Sequence, residues 1–275
     1  MLHIVANVQV KAGNKDIPDM VLNHIRVFIA SIEKNSGCQH AIKFYQSIGH
    51  ENYRNCILPQ YKAHRIVTEA IKIWKPTIVE AFKEIGGIGL KYIESDDAIS
   101  VLAEIIGAEN VVIVSSDKDM MQVPGIHYNP FKTLKKDQTA EDRWSKATIA
   151  TAHKFLWQQV LSGDTTDMPN NLCGIEGVGL VTAKALLDNA GIYTPYPKTI
   201  EWAYTKKYGS KEGFIRANRT YKMVKLLSKY GCDFISDYPK AHTEMKILEL
   251  TESTEIVDEI AQLFYAPNNN PNLFK

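Results

Sequence analysis

A run of four β-branched apolar residues, Val111 to Val114, constrains the fold of this chain more than any other feature. An uninterrupted apolar run of this length is typical of a parallel strand that is covered on both faces. Upstream, short apolar stretches alternate with stretches of helical periodicity. Strands are predicted over residues 2–10, 41–45 and 91–93, and helices over residues 19–33, 67–85 and 96–106, with Pro76 expected to interrupt the second helix. This alternation predicts an α/β sheet with right-handed crossovers.

The second half of the chain has a different pattern. Helical periodicity dominates after about residue 137, over residues 148–161, 180–189, 199–208 and 221–230. We therefore expect two domains, an α/β domain over residues 1–140 and a helical domain over residues 141–275. The polar stretch 134–142 is the expected connection between them.

Composition excludes several classes of protein. Hydrophobic residues make up 45% of the 275-residue chain, enough for an ordinary core. The net charge is only +1, so a polyanionic partner must be recognised by local charge. The four cysteines form no CxxC pair, which argues against zinc and against a disulfide framework. With no long apolar run and no signal-peptide pattern, we expect a soluble, cytoplasmic protein without a membrane partner.

Acidic residues form three groups at predicted loops: Glu94, Asp96 and Asp97; Asp117 and Asp119; Asp164 and Asp167. Ligands bind beyond the carboxyl ends of parallel strands, and carboxylates that converge there need cations. Mg²⁺ is the expected ion, and Mn²⁺ can substitute for it, because both take carboxylate and water oxygens. Two such ions roughly 4 Å apart would support phosphodiester hydrolysis. For any one group alone, capping of a helix N-terminus is the more common explanation of the acids.

A glycine-rich segment, Gly174 to Gly179, joins two predicted helices and indicates a helix-hairpin-helix. Gly174, Gly177 and Gly179 would let the backbone approach a phosphate, and the next helix offers free N–H groups and Lys184. Such contacts bind the DNA backbone without sequence preference and weaken with salt. A K⁺ ion at the hairpin is a further expectation. A plain glycine-rich helix connection is the alternative.

In this order the motifs resemble those of the 5′-3′ exonuclease and flap endonuclease family of phages and bacteria. The matching segments are Tyr61-Lys-Ala-His-Arg65, Glu94-Ser-Asp-Asp97, Ser116-Asp-Lys-Asp119, Gly163-Asp-Thr-Thr-Asp167 and Gly174 to Gly179. The resemblance implies a PIN-like α/β core, a helical arch and a helix-three-turn-helix that holds duplex DNA. It also implies DNA substrates with 5′ flaps, ends or RNA–DNA hybrids, replication proteins as partners, and the cytoplasm of a bacterial host.

The same resemblance assigns roles to individual side chains. The carboxylates at 94, 96, 97, 117 and 119 would line the metal site, and those at 164 and 167 would complete the shell of the second metal. Lys62 and Arg65 would touch the scissile or adjacent phosphate. The arch is expected between Arg65 and Gly89, where lysines alternate with Trp74 and Phe82. That pattern suits a single-stranded flap, and it suits amphipathic helix packing equally well.

Two aspartates of the family pattern are absent. The first expected position holds Ala6 or Asn7, and no aspartate occurs between Ile42 and Arg54, where Glu51 is the nearest acid. Loss of two anionic ligands should weaken Mg²⁺ binding. One explanation is an active enzyme with fewer ligands, with Glu51 or a water in place of a carboxylate. The alternatives are a weakened or inactive DNA-binding homologue, natural or engineered at residue 6, and a helix-hairpin-helix adaptor.

Overall fold

The computed structural model describes residues 18–38, 40–168, 172–190, 195–228 and 232–249. The predicted strand over residues 2–10, including Ala6 and Asn7, lies outside the described residues. The first half contains helices and strands in alternation, as predicted, but the strand expected over residues 91–93 lies instead at Ile88–Leu90. In chain order they are α1 (Pro18–Ser36), β1 (Phe44–Gln46), α2 (Tyr53–Ile57), α3 (Glu69–Glu84), β2 (Ile88–Leu90), α4 (Ser95–Ile106), β3 (Val112–Val114), β4 (Gly125–Tyr128) and β5 (Trp144–Ala147).

The strands form two small sheets. β1 pairs with β2 in parallel, with Phe44 opposite Ile88. β3 pairs with β4 in parallel, and β4 pairs with β5 in the antiparallel sense. The 111–114 run is thus confirmed as a parallel strand. Only its Ile113 is buried, so the expectation that both faces of the strand are covered was wrong. β4 and β5 were not predicted, because their short segments lack an apolar run or a clear alternation.

Two expectations about helices were wrong. Pro76 lies inside α3, which continues from Glu69 to Glu84. Burial of Trp74 and Ile78 against α1 holds the helix on both sides of the proline. The helix expected over residues 221–230 is instead α8, Ser210–Val224. It ends there because Lys225 has extended backbone, and the next N–H groups donate to side chains of other elements.

Helices make up the second half. They are α5 (Ile149–Ser162), α6 (Leu180–Asn189), α7 (Tyr196–Tyr208), α8 and α9 (Pro239–Glu249). Tyr204 joins α7 to α5 and α8, because its buried hydroxyl donates to the Val160 carbonyl at 2.7 Å and lies 3.2 Å from the Thr220 hydroxyl. α9 packs on α4 within a second core. Among the described helices, none is long and apolar enough to cross a membrane.

Candidate functional site

The turn after β2 presents the first acidic group. Glu94 is the N-cap of α4, and its backbone N–H donates to Asp97 Oδ2 at 3.1 Å. Helix capping therefore involves two members of this group, Glu94 and Asp97. Asp96 lies in the first turn of the same helix and lines a cleft together with Glu94.

Asp97 lies behind this cleft in a buried ion pair. It is fully buried, and the guanidinium of Arg54 donates to both of its oxygens, at 2.6 and 2.8 Å. The Leu227 N–H is a further donor at 3.0 Å. These bonds occupy the lone pairs that a cation would need. The structure thus separates Asp97 from the other predicted ligands and makes it part of the support of α4.

Arg54 was not singled out from the sequence. It also donates to the carbonyls of Met223 and Lys225, at 3.0 and 3.1 Å, and so ties α2 to the end of α8. A single arginine in the short helix Tyr53–Ile57 was the available signal, because an arginine that is buried requires an acidic partner.

Five aspartates line the cleft, and four of them, from three segments, lie in one half of it: Asp96, Asp117, Asp119 and Asp164. Burial, together with the charges of Asp117, Glu94 and Asp97, raises the pKa of Asp96 to about 7. Burial and the charges of Asp117 and Asp164 likewise raise the pKa of Asp119 to about 7. Asp96 and Asp119 are therefore short of positive charge, although Lys118 lies 3.5 Å from the neighbouring Asp164.

The other half of the cleft is neutralised by the chain itself. Lys62 pairs with Glu94 and lies 3.4 Å from Asp167, and Arg65 also pairs with Asp167. The Tyr61 hydroxyl lies between the two acids, 2.7 Å from Glu94 and 3.1 Å from Asp167. Burial alone would raise the pKa of Glu94, but the charges of Arg54 and Lys62 outweigh it and lower the pKa.

A buried amide network, which the sequence did not reveal, holds Asp119. Gln159 of α5 is 2% exposed and donates to Asp119 Oδ1 at 2.6 Å. Its carbonyl oxygen accepts from Gln122 at 2.6 Å, and the Gln122 amide is bonded to the Val224 carbonyl and the Leu226 N–H. The carboxylate is thus linked to the end of α8. Two glutamines give no distinctive pattern in a sequence.

The glycine hairpin packs directly against the loop of Asp164. A side chain on Gly174, whose φ is +81°, would lie 2.4 Å from the Gly163 nitrogen, so the two loops meet backbone to backbone. Gly177 and Gly179 have open space where a side chain would be. Lys184 is exposed on α6 and pairs with Asp188. Gly174 is therefore a packing position, whereas Gly177, Gly179 and Lys184 face outward.

The resemblance places the second missing aspartate among Gln46, Ser47, Gly49 and His50, at and just after the end of β1. The Gln46 amide donates to the Leu90 carbonyl at 3.2 Å. Glu51 is exposed and is not among the residues that line the cleft. The structure therefore gives no support to Glu51 as the replacement ligand.

The expected arch region contains α3. Its Trp74 is 3% exposed and packs with Ile25, Ile29 and Ile78. Helix packing is thus confirmed as the explanation for Trp74. The exposed Lys72 pairs with Glu69 of the same helix.

The donor chemistry of the cleft fits a hard cation, since the four aspartates offer only oxygen and two of them have raised pKa values. Across the part of the chain that the structure describes, however, no three acidic, histidine or cysteine side chains are grouped closely enough to hold an ion. Side-chain movement would have to accompany cation binding.

Comparisons with known proteins agree with this site. A family model described as the 5′-3′ exonuclease, N-terminal resolvase-like domain matches residues 6–153. A 5′-3′ exonuclease of Buchnera aphidicola (subsp. Schizaphis graminum) is 28% identical over 161 residues, which cover 57% of this chain and 55% of the relative. A DNA polymerase I of Treponema pallidum is 30% identical over 175 residues, covering 58% of this chain and 16% of the relative. The chain thus spans about half of the first relative and a small part of the second.

Solved structures show the same fold. The T5 5′-exonuclease with bound divalent zinc superposes with a TM-score of 0.57 at 15% identity, covering 94% of both chains. A lysine-to-alanine mutant of the T5 5′-exonuclease gives 0.52 at 13% identity, covering 90% of this chain and 91% of the other. These likenesses confirm the predicted PIN-like α/β core with a helical C-terminal part. Since the family model covers more than half of its residues, this chain belongs to the 5′-3′ exonuclease family.

Proposed function

We propose that this chain is a metal-dependent 5′-3′ exonuclease and 5′-flap endonuclease that hydrolyses phosphodiester bonds in DNA. One observation carries the proposal: Asp96, Asp117, Asp119 and Asp164 converge on one cleft whose other half holds Lys62. Metal-dependent hydrolysis of a phosphodiester requires carboxylates that bind cations and a positively charged side chain that can bind phosphate. The cleft contains both. The name of the Buchnera relative supports the same activity.

The four aspartates would hold Mg²⁺, or Mn²⁺ in its place, and Asp167 and Glu94 would join them. When bound, such ions activate water and stabilise the leaving oxygen. Two ions are the family expectation, and the zinc in the T5 5′-exonuclease supports a divalent metal. The chain itself would supply phosphate binding. Lys62 would release Glu94, and Arg65 would release Asp167, each exchanging a carboxylate partner for a DNA phosphate.

The hairpin would hold the duplex next to the cleft. Gly177 and Gly179 leave room for a phosphate, and the packing of Gly174 on Gly163 connects the hairpin to Asp164. Contacts of this kind give salt-dependent binding without base preference. K⁺ at the hairpin, replication proteins as partners and removal of RNA primers in a bacterial cytoplasm belong to the same proposal. The DNA polymerase I relatives support a replication context.

Cleavage of 5′-labelled flap and RNA–DNA hybrid substrates in Mg²⁺ or Mn²⁺ tests this function. The double variant Asp117→Ala and Asp119→Ala should cut at least about 100-fold more slowly, because each lost ligand weakens charge stabilisation. It should bind flap DNA as well as the wild type or better, since negative charge is removed. Asp137→Ala, at an exposed acid outside the cleft, is the control and should cut normally.

The wild type decides between this proposal and its alternatives. Tight flap binding without cleavage in either metal would indicate an inactive structure-specific DNA-binding homologue. A wild type that neither binds nor cuts flap DNA would refute both the nuclease and the DNA-binding homologue.

A further inference from the structure

Glu244 is a buried acid far from the cleft in sequence. It lies on α9 and is 6% exposed. Its Oε1 accepts from the Lys91 N–H at 2.8 Å, and its Oε2 accepts from the N–H groups of Tyr92 and Ile93 at 2.7 and 2.9 Å. Three consecutive backbone donors therefore converge on one carboxylate.

These three residues form the turn that delivers the first acidic group. β2 ends at Leu90, residues 91–93 follow, and Glu94 caps α4, whose first turn contains Asp96. The carbonyl groups of the turn are bonded as well: that of Tyr92 accepts from the Tyr53 N–H at 3.0 Å, and that of Lys91 accepts from the Gln46 amide at 3.4 Å. A turn with three donors facing inward needs an acceptor, because buried N–H groups without a partner are costly.

Burial of the Glu244 charge also has a cost. Burial raises the pKa of Glu244, and the three backbone bonds and the charge of Lys91 oppose that rise. A helix that needed only to pack could carry leucine here, since its neighbours Ala241, Met245 and Leu248 are apolar and buried in the same core. A carboxylate in that core is explained by the turn that it binds.

We infer that Glu244 is a positioning residue, which fixes the 91–93 turn so that Glu94 and Asp96 face the cleft. This inference rests on the proposed function of the cleft. α9 lies beyond residues 6–153, the segment that the family model matches. The helix near the end of the described chain thus sets the cation affinity of a site to which the first half contributes Glu94 and Asp96.

Glu244→Gln tests the bond between helix and turn. The amide keeps one acceptor oxygen and turns an NH₂ group toward the backbone donors. Amide hydrogen exchange at residues 91–93, followed by NMR without metal, should accelerate by about tenfold or more. Mn²⁺ affinity, measured by electron paramagnetic resonance, should fall about 10-fold, as expected when the support of a metal ligand is lost. With flap DNA, kcat should fall while KM stays unchanged.

Met245→Ala is the matched control. Met245 is 4% exposed on the same helix, so its loss weakens the packing of α9 but leaves the carboxylate in place. This variant should lower the melting temperature and keep the wild-type Mn²⁺ affinity. Glu244→Asp, which keeps the charge on a shorter arm, should give Mn²⁺ affinity between those of the wild type and Glu244→Gln. It also carries the test if Glu244→Gln does not fold.

The outcomes distinguish failure of the positioning role of Glu244 from failure of the proposed nuclease function. Equal Mn²⁺ affinity in wild type and Glu244→Gln would overturn the positioning role while the nuclease proposal stands. The same holds if Met245→Ala loses as much Mn²⁺ affinity as Glu244→Gln. A wild type that binds no Mn²⁺ would overturn both.

Discussion

Replacing Asp96 by asparagine should stabilise the metal-free protein, and the gain should depend on pH. The carboxyl has a pKa of about 7 in the folded chain against an ordinary value of 3.8, because burial and neighbouring acids oppose its ionisation. The folded state therefore holds a proton that the unfolded state releases between these two values. The contribution of this carboxyl to the free energy of unfolding is complete below about pH 4, and it is lost as the pH rises through 7.

The size of this loss follows from the two pKa values. The ionised carboxylate costs the folded state about 4 kcal/mol above pH 7 and about 1 kcal/mol at pH 4.5. Asp96→Asn carries no such charge, so its advantage over the wild type should grow by about 3 kcal/mol between pH 4.5 and pH 8. Urea unfolding in the presence of EDTA at both pH values measures the difference. Asp137→Asn, at an exposed site, should change stability by less than about 0.5 kcal/mol at both.

Divalent metal should reduce the advantage of Asp96→Asn over the wild type at pH 8. At 100 times its dissociation constant, Mg²⁺ would stabilise the wild type by about 2.7 kcal/mol. Asp96→Asn, with a weaker site, should gain much less. An advantage of Asp96→Asn that is equal at pH 4.5 and pH 8 would refute the reasoning, because it would show that the carboxylate is not held against its ionisation. No change on adding Mg²⁺ would refute the role of Asp96 in cation binding.

Three further predictions follow from contacts around the cleft. Arg54→Met should lower the free energy of unfolding by about 3–5 kcal/mol in urea titrations, because Asp97 stays buried without its partner; a loss under about 1 kcal/mol would contradict this. Gln159→Leu should weaken Mn²⁺ binding about 10-fold in calorimetry while the fold is kept by circular dichroism, and unchanged affinity would argue against its support of the cleft. Gly174→Ala should lose at least about 2 kcal/mol in thermal unfolding, more than Gly177→Ala, because only the former meets backbone atoms; equal losses would disprove the close packing.

Local sequence patterns correctly predicted those helices and strands that a short run of residues is enough to specify. The helix predicted over residues 180–189 is α6 with the same bounds, and the apolar run at Val112–Val114 is a parallel strand. Asp117 and Asp119 could be placed beyond that strand because a strand-to-loop transition is visible in the chain itself. The predictions were wrong where contacts between residues distant in sequence determine the bounds of an element. α8 ends at Val224, because the N–H groups of Leu226 and Leu227 donate to Gln122 and Asp97 and not to the helix.

The sequence by itself determined the family, the α/β core and the acids that meet at the cleft, because each motif is short and its chemistry depends on residue type. Only the tertiary structure decided which of these acids are available. Asp97 forms a buried ion pair with Arg54, Glu94 is neutralised by Lys62, and Asp96 has a raised pKa. Burial and charge pairing depend on side chains brought together from distant segments, and no local pattern records such distances. The partner of the 91–93 turn, Glu244, lies about 150 residues away for the same reason.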